Sequence, residues 1–268
     1  MSIILETDGP IAIITINRPQ ARNAVDPETA AALFNAFAEA EGDEAVLAMV
    51  LTGAEGAFCA GADLKAVAKR AEFAPPKKHP QQAPMGPTRL LADRDDAEPL
   101  ISLSKPLIAS IEGHAVAGGL ELALLADLRV ASQTAIFGVY CRRWGVPLID
   151  GGTLRLPRVI GQGRALDMIL TGRAVDAQEA YAWGLANRLV GPGEARAAAI
   201  ALAKEISRFP QSCLRADRAS AYGGWSQDLA EGLKAEARRG APIVGREGQA
   251  GAARFAAGKG RGGDFGEI

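Results

Sequence analysis

The sequence predicts an α/β fold: a mainly parallel sheet with helical crossovers, followed by a purely helical C-terminal region. Apolar runs of strand length ("IAIITI", "AVLAMVLTG", "PLIASIEG", "LRVAS") alternate with segments of helical character up to about Pro192. Such alternation requires crossovers between parallel strands. Two strand ends run into turns built of alanine and glycine, "FCAGADLK" and "HAVAGGLELALLAD". Beyond Pro192 the pattern changes to helices only, in outline Glu194–Arg208, Pro210–Tyr222 and Trp225–Arg239. The change divides a core, residues 1–192, from a helical region, residues 193–268.

The elements follow in order. "IILET" and "IAIITI", separated by "DGP", read as a hairpin. Asp26 is placed to cap a helix with Pro27 at its first position, and Ala30, Leu33, Phe34 and Phe37 mark its apolar face. "AVLAMVLTG" is a continuous apolar run suited to a buried strand, leading through "AEGA" into the first bare turn. "APPKKHPQQAPMGP" (Ala74–Pro87) is too rich in proline for regular structure and reads as an exposed loop. "PLIASIEG" is a second buried strand, with a helix opening near the glycines of "HAVAGG", and "LRVAS" is a strand again. The closing "AAGKGRGGDFGEI" reads as a weakly ordered tail unless a partner chain holds it.

Composition narrows the function. The 268 residues are 48% hydrophobic and 23% charged, as in ordinary globular proteins. Thirty basic residues stand against 31 acidic ones, so no global field draws the chain to nucleic acid or an anionic membrane. "MSIILETDGP" lacks the basic and apolar regions of a secretory signal, and "LELALLADL" is too short and acidic for a membrane span. Cys59, Cys141 and Cys213 form no disulfide framework and fit a reducing cytoplasm. With only His79 and His114, no histidine-based metal site is expected.

A bare turn ahead of a helix leaves backbone N–H groups uncovered, which suits a negatively charged guest. Two such turns in adjacent units of a parallel sheet can converge their donors on an oxygen that becomes negative during a reaction. Glu121 follows Gly118 by three residues, so both lie on one helix face. Its neighbours Leu120, Leu122, Ala123, Leu124 and Leu125 predict a buried helix, where an unpaired carboxylate is costly. A chemical role therefore explains Glu121 better than a first-turn acid does. Neither turn reads G-x-G-x-x-G, which argues against a dinucleotide ligand.

The chain resembles the crotonase superfamily, the enoyl-CoA hydratase/isomerase family. The likeness runs through "NRPQARNAV", "GAFCAGADLK", "SKPLIASIEGHAVAGGLELALLAD", "FGVYCRRWGVPLIDGGTLRLPRVIG" and "LTGRAVDAQEAYAWGLANRLV", in the family's order. It implies a spiral of ββα turns, a C-terminal helical region used in trimer contacts, and a homotrimer or hexamer. It also implies an acyl-CoA thioester as ligand, with no cofactor beyond the coenzyme A of the substrate. By position, the donors to the thioester oxygen are Ala62 and Gly118, and Glu121 is the general base of an enoyl-CoA hydratase. Ala60, Asp63 and Leu64 resemble the adenine-binding turn. Arg22 and Lys65 are either phosphate contacts or solvated surface charges. Isomerisation, thioester hydrolysis and non-catalytic acyl-CoA binding are the alternatives on the same fold.

One departure bears on mechanism. Family hydratases position a water between two glutamates, the second in an "FGxPE" string. Here that string is "FGVYC", with Cys141 in the glutamate's place. A neutral thiol, with a pKa near 8.5, does not replace a carboxylate. Arg142 and Arg143 either depress that pKa, face solvent or pair with acids. Asp150 is the nearest other carboxylate, and reads equally as a second catalytic acid or as the N-cap of a helix over Gly151–Leu156. Trp144 is expected in a pocket wall or in the core.

Overall fold

The computed structural model describes residues 1–69, 103–260, 262 and 266. The proline-rich stretch 74–87 lies outside the described residues, as do residues 261, 263–265, 267 and 268 of the glycine-rich tail. β1 (Ile3–Asp8) and β2 (Ile11–Ile16) form the expected hairpin, with Gly9 at φ +60° in its turn. α1 (Pro27–Gly42) opens at Asp26, whose side chain accepts a 2.8 Å hydrogen bond from the Thr29 N–H. Ala30, Leu33 and Phe37 are its buried face, with Phe34 at the border.

β3 (Ala48–Gly53) leads into the first bare turn and the short α2 (Leu64–Ala68). Strand pairs then alternate with helices. β4 (Leu107–Ile111), β5 (His114–Val116) and α3 (Gly118–Leu125) form one such unit. β6 (Leu128–Ser132), β7 (Ile136–Gly138), a 3-10 turn (Tyr140–Trp144), α4 (Gly152–Ile160) and α5 (Gln162–Thr171) form the next. β8 (Ala174–Asp176), α6 (Ala177–Ala182) and β9 (Arg188–Val190) complete the core. The larger sheet has the order β1-β2-β3-β4-β6-β9, parallel from β2 onward, and the smaller has the order β5-β7-β8. This is the predicted spiral of ββα turns.

Successive strand residues point to opposite faces, so a strand buried on both sides must be apolar throughout. β2 sends Ala12, Ile14 and Ile16 into the main core and Ile11 and Ile13 into a second cluster. α7 (Ala195–Ser207) covers that second face with Ala199, Leu202 and Ala203. Part of the C-terminal helical region is thus integral to the sheet's packing. α8 (Gln211–Gly223), α9 (Leu229–Ile243) and α10 (Gln249–Ala256) bury much less: Leu229, Leu233 and Phe255 are exposed. Among the described residues no helix is long and apolar enough to cross a membrane.

α8 is fastened to the core through Asp127. Its carboxylate accepts hydrogen bonds from Leu107 N (2.8 Å), Arg218 Nε (2.9 Å) and the Tyr222 hydroxyl (2.7 Å). Arg218 Nη1 also donates to Leu103 O at 2.6 Å. Asp127→Ala would leave Arg218 without its counter-charge in a largely buried position. We expect a loss of about 3 kcal/mol in chemical denaturation, at the lower end for breaking a buried pair. A loss below about 1 kcal/mol, the range of exposed pairs, would show that solvent replaces the carboxylate.

Candidate active site

The two bare turns lie against each other. Cys59 N donates to His114 O at 2.8 Å, and Val116 N donates back to Cys59 O at 3.1 Å. Gly61, at φ +92°, and Gly119 permit the approach. A methyl on Gly61 would lie 2.9 Å from the Gly118 nitrogen, and one on Gly119 would lie 2.0 Å from Cys59 O. Ala117, which precedes α3, holds φ +54° and ψ −125°, a conformation costing a non-glycine residue roughly 1–3 kcal/mol. Among the described residues no backbone acceptor takes up the N–H of Ala62 or of Gly118. Two peptide donors from different turns are therefore uncommitted at the start of a buried helix.

Glu121 lies one turn into α3, 2% exposed. Its Oε1 accepts from Asp150 N at 2.9 Å and Gly152 N at 2.8 Å. Burial pushes the carboxyl up to about 7, the Asp150 charge adds to the rise, and the two N–H donors and Arg155 oppose it. A carboxyl poised near neutrality can both accept and return a proton. Gly152 is required at this point, because a methyl there would sit 2.9 Å from Glu121 Cγ.

Cys141 is buried within electrostatic reach of Glu121. Burial, then the Glu121 charge, raises its pKa, and the opposing pull of Arg142 is smaller. The thiol is neutral. Arg142 Nε donates to Ile169 O and Arg143 Nη2 to Gly172 O, so both cap the end of α5. Asp150 is 3% exposed and acts electrostatically on Glu121. It does not cap α4: the cap position belongs to Gly151, with no side-chain hydrogen bond. Trp144 is 68% exposed in the single chain, which removes it from the core.

In the first turn, the Asp63 carboxylate is committed, accepting from Lys65 N (3.0 Å) and pairing with Arg18 Nη2 (3.1 Å). Arg18 also pairs with Asp26 at 2.9 Å, tying the starts of α1 and α2 together. Arg22, whose carbonyl accepts from Ala60 N at 3.1 Å, and Lys65 are exposed beside this turn. Sequence reasoning missed Arg18, Gly152 and Arg155. The only local signal was for Arg155, a cation one turn after a glycine pair in a helix whose next residue, Leu156, is buried. Among the described residues no group of His, Cys, Asp and Glu is arranged to hold a metal ion.

A family profile described as enoyl-CoA hydratase/isomerase matches residues 6–256. A probable enoyl-CoA hydratase of Rhizobium meliloti is 37% identical over 238 residues, covering 88% of this chain and 87% of that protein. The (E)-benzylidenesuccinyl-CoA hydratase of Thauera aromatica is 36% identical, covering 87% of each. The crystal structure of enoyl-CoA hydratase EchA1 from Mycobacterium marinum superposes with a TM-score of 0.84 at 35% identity, covering 96% of both chains. The protein belongs to the enoyl-CoA hydratase/isomerase family and has its crotonase fold.

Proposed function

We propose that the protein is an enoyl-CoA hydratase, adding water across the 2,3-double bond of an acyl-CoA thioester. The observation that carries this reading is a buried, near-neutral carboxyl on the same helix whose first N–H, with that of the adjoining turn, is uncommitted. Glu121 takes a proton from water as the oxygen bonds to the β-carbon. Negative charge then moves to the thioester oxygen, where the Ala62 and Gly118 N–H groups stabilise the enolate. A proton returned by the carboxyl pair to the α-carbon restores the thioester, so one water has been added. In acyl-transfer enzymes, loss of one such donor costs roughly 10²–10³ in rate.

Asp150 is the second carboxyl of this scheme and Cys141 takes no part in proton transfer. The support is that the Asp150 side chain is buried beside Glu121 and does not cap a helix, while the thiol is held neutral. On 2-butenoyl-CoA, Asp150→Asn should lower turnover about tenfold or more, whereas Cys141→Ala should stay within a few-fold of wild type. Loss of turnover in Cys141→Ala with full activity in Asp150→Asn would reverse the assignment.

Coenzyme A is bound as part of the substrate, with its adenine on the Ala60–Leu64 turn, and Arg22 and Lys65 meeting phosphates. No separate cofactor is needed. Trp144 becomes a wall of the acyl pocket. The exposed apolar residues of α9 and α10 support a homotrimer or hexamer assembled through residues 193–268. The even charge balance and unpaired cysteines fit a cytoplasmic protein.

A further inference from the structure

The turn that holds Glu121 is itself held from its other side. Arg155, in the first half of α4, is 7% exposed, and its Nη1 donates to Asp150 O at 3.0 Å. Gly151, at φ +95°, leaves room for the guanidinium, since a methyl there would meet Nη1 at 2.4 Å. The peptides on either side of the Asp150 carbonyl donate their N–H groups to Glu121. One short turn is therefore pulled by a cation on one side and a carboxylate on the other.

Glu121 comes from α3, Asp150 from the turn, Arg155 from α4, Cys141 from the 3-10 turn and Tyr222 from α8. Tyr222 donates its hydroxyl to Asp127, and the thiol is neutral. Among the described residues, Arg155 is thus the buried cation facing two buried carboxyls. Arg155 favours the ionised form of Glu121, while the Asp150 charge disfavours it, so the two neighbours act on the base with opposite sign.

We propose that Arg155 is the positioning residue of this site, fixing the Asp150–Gly152 turn on Glu121 and placing a positive charge beside the catalytic carboxyl. The inference rests on the hydratase reading for its catalytic meaning and its kinetic readouts, but not for its NMR readout. Arg155 need not touch substrate: it acts through the peptide it orients and the charge it balances.

The test is a ¹³C NMR titration of the Glu121 carboxyl without substrate, assigned with Glu121→Gln, alongside the pH profile of kcat/KM on 2-butenoyl-CoA. Arg155→Met should move the Glu121 midpoint up by roughly one unit, and Asp150→Asn should move it down, because the two neighbours carry opposite charges. Base catalysis needs ionised Glu121, so the acidic limb of the profile should shift with the midpoint in each variant. Arg155→Met should also lower kcat about tenfold with KM within about threefold of wild type. Arg155→Lys keeps the charge and loses the planar donor, so its midpoint stays near wild type while kcat falls. If Arg155→Met fails to fold, Arg155→Lys alone decides: a midpoint displaced by as much as a unit would overturn the charge role, and an unchanged kcat would overturn the positioning role. An unmoved midpoint in folded Arg155→Met overturns the proposal even if the enzyme hydrates. Failure of the hydratase reading would instead appear as absent turnover in wild type, with the NMR shifts intact.

Discussion

Glu121→Gln binds acyl-CoA within a few-fold of wild type and hydrates about 10²-fold more slowly or worse, as expected for loss of a general base. The amide occupies the carboxylate's volume, and its oxygen can still accept the N–H groups of Asp150 and Gly152, which donate to Oε1 at 2.9 and 2.8 Å. It cannot take a proton from water. The substitution also removes one of two buried like charges, so the fold should not lose stability. A merely structural Glu121 would give the opposite pattern: unchanged turnover on a confirmed substrate with altered thermal stability.

Gly119→Ala should have the largest combined effect on stability and activity. Its new methyl would begin 2.0 Å from Cys59 O and 2.7 Å from Cys59 C, both backbone atoms that no rotamer change can move. The strands of the two bare turns have to part, breaking the Cys59–His114 and Cys59–Val116 hydrogen bonds and separating the two uncommitted N–H donors. Overpacking of this kind costs roughly 1–3 kcal/mol or more, and each lost donor roughly 10²–10³ in rate. Gly163→Ala in α5 is the control, because a methyl there meets nothing within 4 Å. It should leave activity alone and stabilise the helix by up to about 1 kcal/mol. Equal behaviour of the two variants in denaturation and turnover would show that the turns do not depend on their close approach.

What could be read from the sequence was what local chemistry determines. The Asp26 cap, the hairpin around Gly9 and the buried strands each depend on neighbouring residues or on a period of two, and each forms as expected. The bare turns were legible because alanine and glycine strings after an apolar strand leave few other structures. Glu121 stood out because an acid inside an apolar helix contradicts its surroundings. Asp150 remained divided between cap and catalyst because the choice rests on Gly151 taking φ +95° and the cap position itself. Arg155 and Arg18 went unread for a different reason. Their partners are a carbonyl five residues back and carboxylates as many as 45 residues away, and no periodicity links such positions. The burial of α7 against the sheet likewise depends on tertiary packing, since its pattern of alanines, isoleucines and one leucine fits a surface or a core helix equally well.

The most direct measurement is product analysis by mass spectrometry after mixing the protein with 2-butenoyl-CoA in ¹⁸O-labelled water, with Glu121→Gln alongside. The account predicts 3-hydroxybutanoyl-CoA carrying one ¹⁸O at its hydroxyl from the wild-type protein, and little or none from the variant. Release of free coenzyme A with label in the carboxylate, or recovery of unlabelled thioester across a panel of 2-enoyl chain lengths, would contradict it.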